Sequence, residues 1–426
     1  MPLTDKAELN PEITSLFSGL KDSVSSGFAK LTSKGDGSPN TNFSMFGMFI
    51  LLAMLVGLFI YYFKALGLFE TPYNIRRITQ ADMVAQSGYD TANPSRVGMR
   101  AYLQSLVQSG VPDTHLVLTN FYVSTVNAAG VFFPAADGVV NPEAARMAVK
   151  GGARGFVFDL WPDLSPGAQF SPSVQVVESG SLWRRISLNS QPFISVLKVL
   201  VQEAFEIRER PGFEDPIFLY LRFRGKPRAS TFAATANALR AVLEQYRLDS
   251  TFNNRRGQNR IFSTPITSLF KKVVIASNVI ADGNPLSDYI NIGPADGIPL
   301  EYPVNKVKGF SDSDRTQAIE KIKQNLTWVA PLSEDPVAEA NSWDVAANQA
   351  VGIQFCAMNF WNNNDPLKAY MSPAMFGKQS FSIKPSALRY VVEVLANPKF
   401  PQDPKWGSGP TAGSMTEPPS IRLPKQ

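Results

Sequence analysis

Ala148-Val-Lys-Gly-Gly-Ala-Arg-Gly-Phe-Val-Phe-Asp-Leu-Trp161 joins the end of a helical pattern to a short apolar run. Residues 155–160 suit a buried strand in length and composition, and residues 142–149 before them read as a helix with Asn141 at the capping position. The same strand and helix pairing recurs on both sides of this point. Further apolar runs lie at 116–123, 174–177, 217–221, 273–277, 326–330, 353–360 and 381–383, making eight candidate strands with 155–160. Helical patterns at 194–205, 233–248 and 313–325 separate several of them. Alternation of this kind predicts an α/β fold with a parallel sheet, and eight repeats predict a closed (β/α)8 barrel of the TIM type. The block 98–397 is of a length that such barrels fill as one domain. Residues 279–312, rich in Pro, Gly and Asp, read as a long loop inserted in the barrel.

Ahead of this block, Phe43-Ser-Met-Phe-Gly-Met-Phe-Ile-Leu-Leu-Ala-Met-Leu-Val-Gly-Leu-Phe-Ile-Tyr-Tyr-Phe63 carries no charge and no proline, and Lys64 follows it. About 20 apolar residues suffice to cross a hydrocarbon core as a helix, which satisfies its own backbone hydrogen bonds. Tyr61 and Tyr62 beside Lys64 suit the interface of a bilayer. A cleaved signal would start near residue 1 and end in small residues, so 43–66 is expected to be a single transmembrane helix and the lipid bilayer a partner through the 43–63 span. The flanking lysines and arginines tilt the orientation toward a cytosolic C-terminal side.

The arm 1–42 contains Ile13, Leu16, Phe17, Leu20, Val24, Phe28 and Leu31 at helical spacing. It reads as an amphipathic helix for a membrane surface or a protein partner, or else as a weakly ordered tail. Residues 67–97 form a linker, and the proline-punctuated tail 398–426 is expected to be extended, loose or laid along a protein partner. The net charge of +5 comes from scattered Lys and Arg, without the basic run that a nucleic-acid footprint requires. One cysteine, Cys356, in 426 residues argues against a disulfide-built ectodomain. Within its apolar run it suits a small buried hydrophobe.

Three stretches resemble the catalytic domain of phosphoinositide-specific phospholipases C. The 148–161 run is similar to the family's second-strand signature, in which Gly, Arg, Asp and Trp recur in that order. Gly352-Ile-Gln-Phe-Cys-Ala-Met-Asn-Phe-Trp361 resembles the penultimate strand, and Phe381-Ser-Ile-Lys-Pro385 with Leu388 resembles the closing one. Residues 265–275, and 204–205 with 216–221, are similar to further parts of the same barrel. The resemblance implies a (β/α)8 barrel with any site at the C-terminal ends of its strands.

It also implies what is missing. Active members use two histidines, because imidazole titrates near neutrality and can pass protons between hydroxyl, leaving group and water. This chain has one histidine, His115, ahead of the first strand and away from either motif position. Val126 stands at the first histidine position, with Asn127 after it. Glu178 or Ser179 stands at the second. Of the calcium ligands that the family carries, Asn127 and Asp159 match. Val157 and Arg222 replace the others, and a cation at a ligand position opposes metal binding. Ala276 and Asn278 stand where the family has phosphate-gripping lysines.

These departures predict a catalytically dead barrel with no catalytic residue, no metal and no cofactor. Asp159 and Arg154 are then read as a buried polar pair at one barrel end, or as relics of the site. Arg222, Arg224, Lys226 and Arg228, and Arg184 with Arg185, form basic clusters that suit lipid phosphates, an acidic partner or plain solvated loops. Three functions remain open. The first is a membrane-bound scaffold that links a bilayer to protein partners; the resemblance suggests the kind of barrel carried by large DNA viruses with internal membranes, as a virion or minor capsid protein. The second is a phospholipid or inositol-phosphate headgroup binder using Asn127, Arg154, Asp159 and Arg222. The third is a phosphodiesterase with non-histidine chemistry through Glu178 and Asp159.

Overall fold

The computed structural model describes residues 51–52, 54–58, 96–132, 139–161, 173–174, 177–178, 184–185, 191–225, 227–253, 261–279, 282–294, 300–332, 337 and 340–391. The chain divides into two units, Met1–Asn74 and Ile75–Gln426. Of the first, residues 51, 52 and 54–58 are described; they are helical, and Leu52, Met54, Leu55, Val56 and Leu58 are exposed. Among the described residues no helix is long and apolar enough to cross a membrane. Most of the 43–66 stretch, the arm 1–42 and the tail 398–426 lie outside the described residues.

The second unit is mixed α/β. Its strands are β1 (Phe121–Val126), β2 (Val131–Phe132), β3 (Val139–Val140), β4 (Gly155–Trp161), β5 (Ser173–Val174), β6 (Val177–Glu178), β7 (Arg184–Arg185), β8 (Gln191–Pro192), β9 (Ile217–Phe223), β10 (Val273–Ser277), β11 (Trp328–Val329), β12 (Phe355–Met358) and β13 (Phe381–Ile383). The main sheet runs β10-β9-β4-β1-β12-β11, and every pairing along that path is parallel. Helices Pro142–Lys150, Phe193–Val201, Ala229–Leu243 and Asp312–Lys323 connect or flank the strands. Asn141 caps the first of these by accepting from the Glu143 N–H, as its position in the sequence predicts.

Side chains alternate along each strand between two cores. Phe156, Phe158, Leu219, Leu221, Ile275 and Cys356 pack with the helices, while Phe121, Val123, Val157, Phe218, Tyr220, Val274, Trp328 and Phe355 fill the concave face. Trp328 stacks on Phe355 at 4.1 Å between ring centroids. Phe218 of β9 meets Phe355 of β12 at 5.2 Å, and Tyr220 of β9 meets Trp328 of β11 at 5.5 Å. Strands β4 and β1 separate the first pair within the sheet, and β4, β1 and β12 the second. Contact across them requires a sheet curled into half a barrel, with a filled interior. Gly155 permits the curl locally, since a Cβ there would lie 2.3 Å from Thr125 Oγ1 on its β1 neighbour.

Several expectations are corrected. The run at 174–177 is not a barrel strand: β5 lies antiparallel across the end of β4, which pairs directly with β9. The run at 381–383 pairs antiparallel with β1, whose parallel neighbours are β4 and β12, so among the described residues six named strands form the parallel path. Apolar runs report burial but carry no information on strand direction, which is why periodicity overcounted. The predicted loop 279–312 contributes to the sheet, through parallel bridges of Ile292 to Ala276 and of Glu301 to Trp328. Residues 118–120 form a 3-10 turn, and β1 begins later than expected.

Candidate functional site

The C-terminal ends of β1, β4, β9 and β10 bring Asn127, Asp159, Arg222 and Asn278 to one end of the half-barrel. Asp159 and Arg222 are register partners on adjacent parallel strands, so their side chains leave the same face. Both are 3% exposed. Arg222 Nε donates to Asp159 Oδ1 at 2.5 Å and Nη2 donates to Asp159 Oδ2 at 3.0 Å, a bidentate fork. Nη1 donates to Glu301 Oε1 at 3.2 Å and to the Ala330 carbonyl at 2.8 Å, and Nη2 also donates to the Pro331 carbonyl at 3.3 Å. A guanidinium has five N–H donors. Here all five have an acceptor.

Charge and hydrogen bonding extend outward from this centre. Tyr220 Oη donates to Glu301 Oε2 at 2.6 Å, Arg224 Nη1 lies 3.7 Å from Asp159 Oδ1, and the Arg224 guanidinium sits over the Trp161 ring at 5.5 Å. Burial opposes the Arg222 charge, but the carboxylates of Asp159 and Glu301 outweigh it and raise its pKa above the usual value. Burial, with the Glu301 carboxylate next, also pushes the Tyr220 phenol far up. Two acids and two arginines gather at this end of the sheet with opposed charges.

The remaining sequence-predicted positions are structural or lie elsewhere. Val126, Val157 and Ala276 are fully buried core residues. Asn127 Nδ2 donates to the Pro331 carbonyl at 3.0 Å, while its Oδ1 is buried without a hydrogen-bond partner among the described residues. Asn278 pins β10 to β9, accepting from the Phe223 N–H at 2.8 Å and donating to its carbonyl at 3.0 Å. Glu178 is in the short β6–β7 hairpin, and Ser179 falls outside the described residues. His115 ends a 3-10 turn ahead of β1, at the opposite end of the fold from Asp159.

The expected pairing of Arg154 with Asp159 is also corrected. Arg154 precedes β4 and Asp159 lies near its end, roughly 16 Å away at a strand's rise per residue. Arg154 pairs instead with Asp215 at 3.8 Å and donates to the Gly212 carbonyl at 3.0 Å, while the Met99 N–H donates to Asp215 at 2.8 Å. Burial raises the Asp215 pKa to about 6 against the opposing pull of Arg154 and the Met99 N–H. The residue that sequence reading missed is Glu301. Its one signal was the apolar, charged, apolar alternation of Leu300-Glu301-Tyr302 inside a stretch taken for loop. Among the described residues no group of three or more His, Cys, Asp or Glu is placed to hold a metal ion.

No protein-family description matches the sequence, and no curated protein is similar to it. Solved structures are similar in fold. PLC21 of L. pealei has a TM-score of 0.48 and 15% identity over 66% of this chain and 38% of that one. PLC21 of S. officinalis has a TM-score of 0.49 and 14% identity over 66% of this chain and 39% of that one. The Ca2+-dependent phosphatidylinositol-specific phospholipase C of Streptomyces antibioticus has a TM-score of 0.40 and 13% identity over 63% of this chain and 99% of that one. This chain thus spans less than two-fifths of the two PLC21 chains. At such identities the likeness is one of fold.

Proposed function

We propose that the chain is a membrane-anchored, catalytically silent barrel that acts as a scaffold between a bilayer and protein partners, such as the shell of a membrane-containing virus. The observation that carries this reading is the saturation of Arg222 at the mouth of the half-barrel, where Asp159, Glu301 and two backbone carbonyls take all its donors. A substrate entering there would have to displace a buried ion pair, and the lone histidine, ahead of β1, is too far away to supply a proton. The apolar 43–63 run supports the anchor. The arm 1–42 and the tail 398–426 are the segments proposed to meet protein partners.

The test uses the full chain in detergent or nanodiscs with vesicles containing phosphatidylinositol, with and without calcium. The expected result is no release of inositol phosphate above a protein-free control, and no thermal shift with inositol phosphates. A product that appears with the wild type and vanishes with Asp159→Asn overturns the reading. The Oδ1 of Asn127, which has no hydrogen-bond partner among the described residues, favours a second reading, retained recognition of a hydroxylated headgroup, and a thermal shift that Asn127→Ala abolishes would select it. Identifying proteins that co-purify with the detergent-solubilised chain tests the scaffold role itself.

A further inference from the structure

After β13 the chain runs over the N-terminal end of β1 as a short strap, residues 384–391. Lys384 is 0% exposed. None of residues 385–391 is buried: Pro385, Ser386, Ala387 and Val391 are exposed, and Leu388, Arg389 and Tyr390 are half-buried. One residue ahead of β1 ties down both ends of the strap. Asn120 accepts from the Lys384 N–H through its carbonyl at 2.9 Å and from the Tyr390 N–H through Oδ1 at 2.6 Å, and its Nδ2 donates to the Tyr390 carbonyl at 2.8 Å. The Tyr390 ring adds an edge contact to Phe262 at 5.4 Å. A segment with so little buried surface opens at a low local free energy, and Lys384 is the one side chain that it sinks into the interior.

That side chain is an amine in a place without an acid. Its Nζ has no hydrogen-bond partner among the described residues. From β1 the Tyr122 ring faces it at 5.7 Å, and the Tyr122 hydroxyl is committed to the Gln349 carbonyl at 2.6 Å. From β12 comes the Cys356 thiol, which burial pushes up and so keeps uncharged. A Cβ placed on Gly352 would lie 3.6 Å from the Lys384 Nζ and 3.5 Å from Ile322 Cγ2, so the helix Asp312–Lys323 presents an apolar residue there. Beside Ile322, Lys323 is paired with the exposed Glu320 at 2.8 Å. The strap itself brings Arg389, a second cation, whose Nε donates to the Lys384 carbonyl at 2.6 Å. Burial thus holds the amine well below its ordinary 10.5.

A buried amine is tolerated while neutral, but an ammonium needs water or a carboxylate. The strap is the least anchored of the elements around it. We infer that Lys384 is a proton-operated latch: as pH falls its amine takes up a proton and leaves the interior, and residues 384–391 lift away from Asn120 while the parallel strands stay paired. Residues 392–426 continue from Val391, so opening moves their point of attachment away from the sheet.

Amide hydrogen exchange of the full chain in detergent, corrected for the intrinsic effect of pH, tests this between pH 9 and 7. Proton linkage makes opening about tenfold more frequent for each unit of pH lost, so protection of the Lys384, Leu388, Arg389 and Tyr390 amides is expected to fall about a hundredfold over the window. At every pH these amides should be less protected than those of β4 and β9. Lys384→Met and Lys384→Leu, each checked by circular dichroism, should remove the slope. A flat wild-type profile overturns the latch, as does a slope that survives in a folded variant. Equal protection of the strap and of β4 and β9 also overturns it, because opening would then be unfolding of the whole barrel.

Discussion

Arg222 and Asp159 face each other across β9 and β4 as register partners and are joined by two hydrogen bonds of 2.5 and 3.0 Å, out of contact with water. Removing Arg222 takes from Asp159 the nearer of its two arginines. Arg222→Met should leave the buried Asp159 with only Arg224, 3.7 Å away, and take the guanidinium from the part-exposed Glu301, at a cost of about 3 kcal/mol read as a lower urea midpoint with unchanged slope. Adding Asp159→Leu and Glu301→Gln should recover most of that loss. Failure of the combined variant to recover would mean that the cluster shapes the backbone as well as balancing charge.

Asp215 should make stability fall as pH rises from about 4 to about 6. Burial lifts its folded pKa to about 6 from an ordinary 3.8, so across that window the native state holds more protons than the unfolded one. The slope of unfolding free energy is then negative for this group, opposite to that of a salt-bridged carboxylate. The measurement is the difference between wild type and Asp215→Asn over pH 4–7. If the two curves stay parallel, Arg154 holds Asp215 ionised throughout.

Lys384 is fully buried, its Nζ has no hydrogen-bond partner among the described residues, and it lies 5.7 Å from the centre of the Tyr122 ring. Burial pushes its pKa well below the ordinary 10.5. Between those two values the unfolded chain binds the extra proton, so stability rises with pH there. Lys384→Met should remove that slope and raise stability near neutrality by about 1–3 kcal/mol, because an unsatisfied amine is replaced by apolar atoms of similar volume. A lower melting temperature would show that the amine has a partner after all.

Trp328 stacks on Phe355 and touches Tyr220 from across the half-barrel. Trp328→Ala should therefore cost about 3–5 kcal/mol and loosen both strands it bridges. Hydrogen exchange should speed up in β9 and β12 together. Faster exchange in β11 alone would mean that the interior is not shared across the sheet.

Local chemistry was legible in the sequence to a useful depth. The glycine-rich turn into β4, the capped helix after Asn141 and the period-two cores of β9 and β10 follow from short-range rules of propensity and alternation. Pairing was less legible. Nothing in Phe381-Ser-Ile383 says that it runs antiparallel to β1, since direction depends on where the chain re-enters the sheet. The site divided along the same line. Arg222 could be seen as a cation in a ligand's place, but its acceptors include the carbonyls of Ala330 and Pro331, which any residue would offer, and Glu301 from a proline-flanked stretch. Long-range convergence on one guanidinium has no local signature.

The saturation of Arg222 also constrains how this chain can change over time. A single substitution at that position takes the shared guanidinium from the buried Asp159 and the part-exposed Glu301, and a single substitution at either acid leaves a cation with unfilled donors. Each one-step path away from the present arrangement passes through a poorly stable intermediate. Descendants of this sequence are thus expected to keep the arginine and its two carboxylates together or to lose them together, which makes the cluster resistant to gradual reversal.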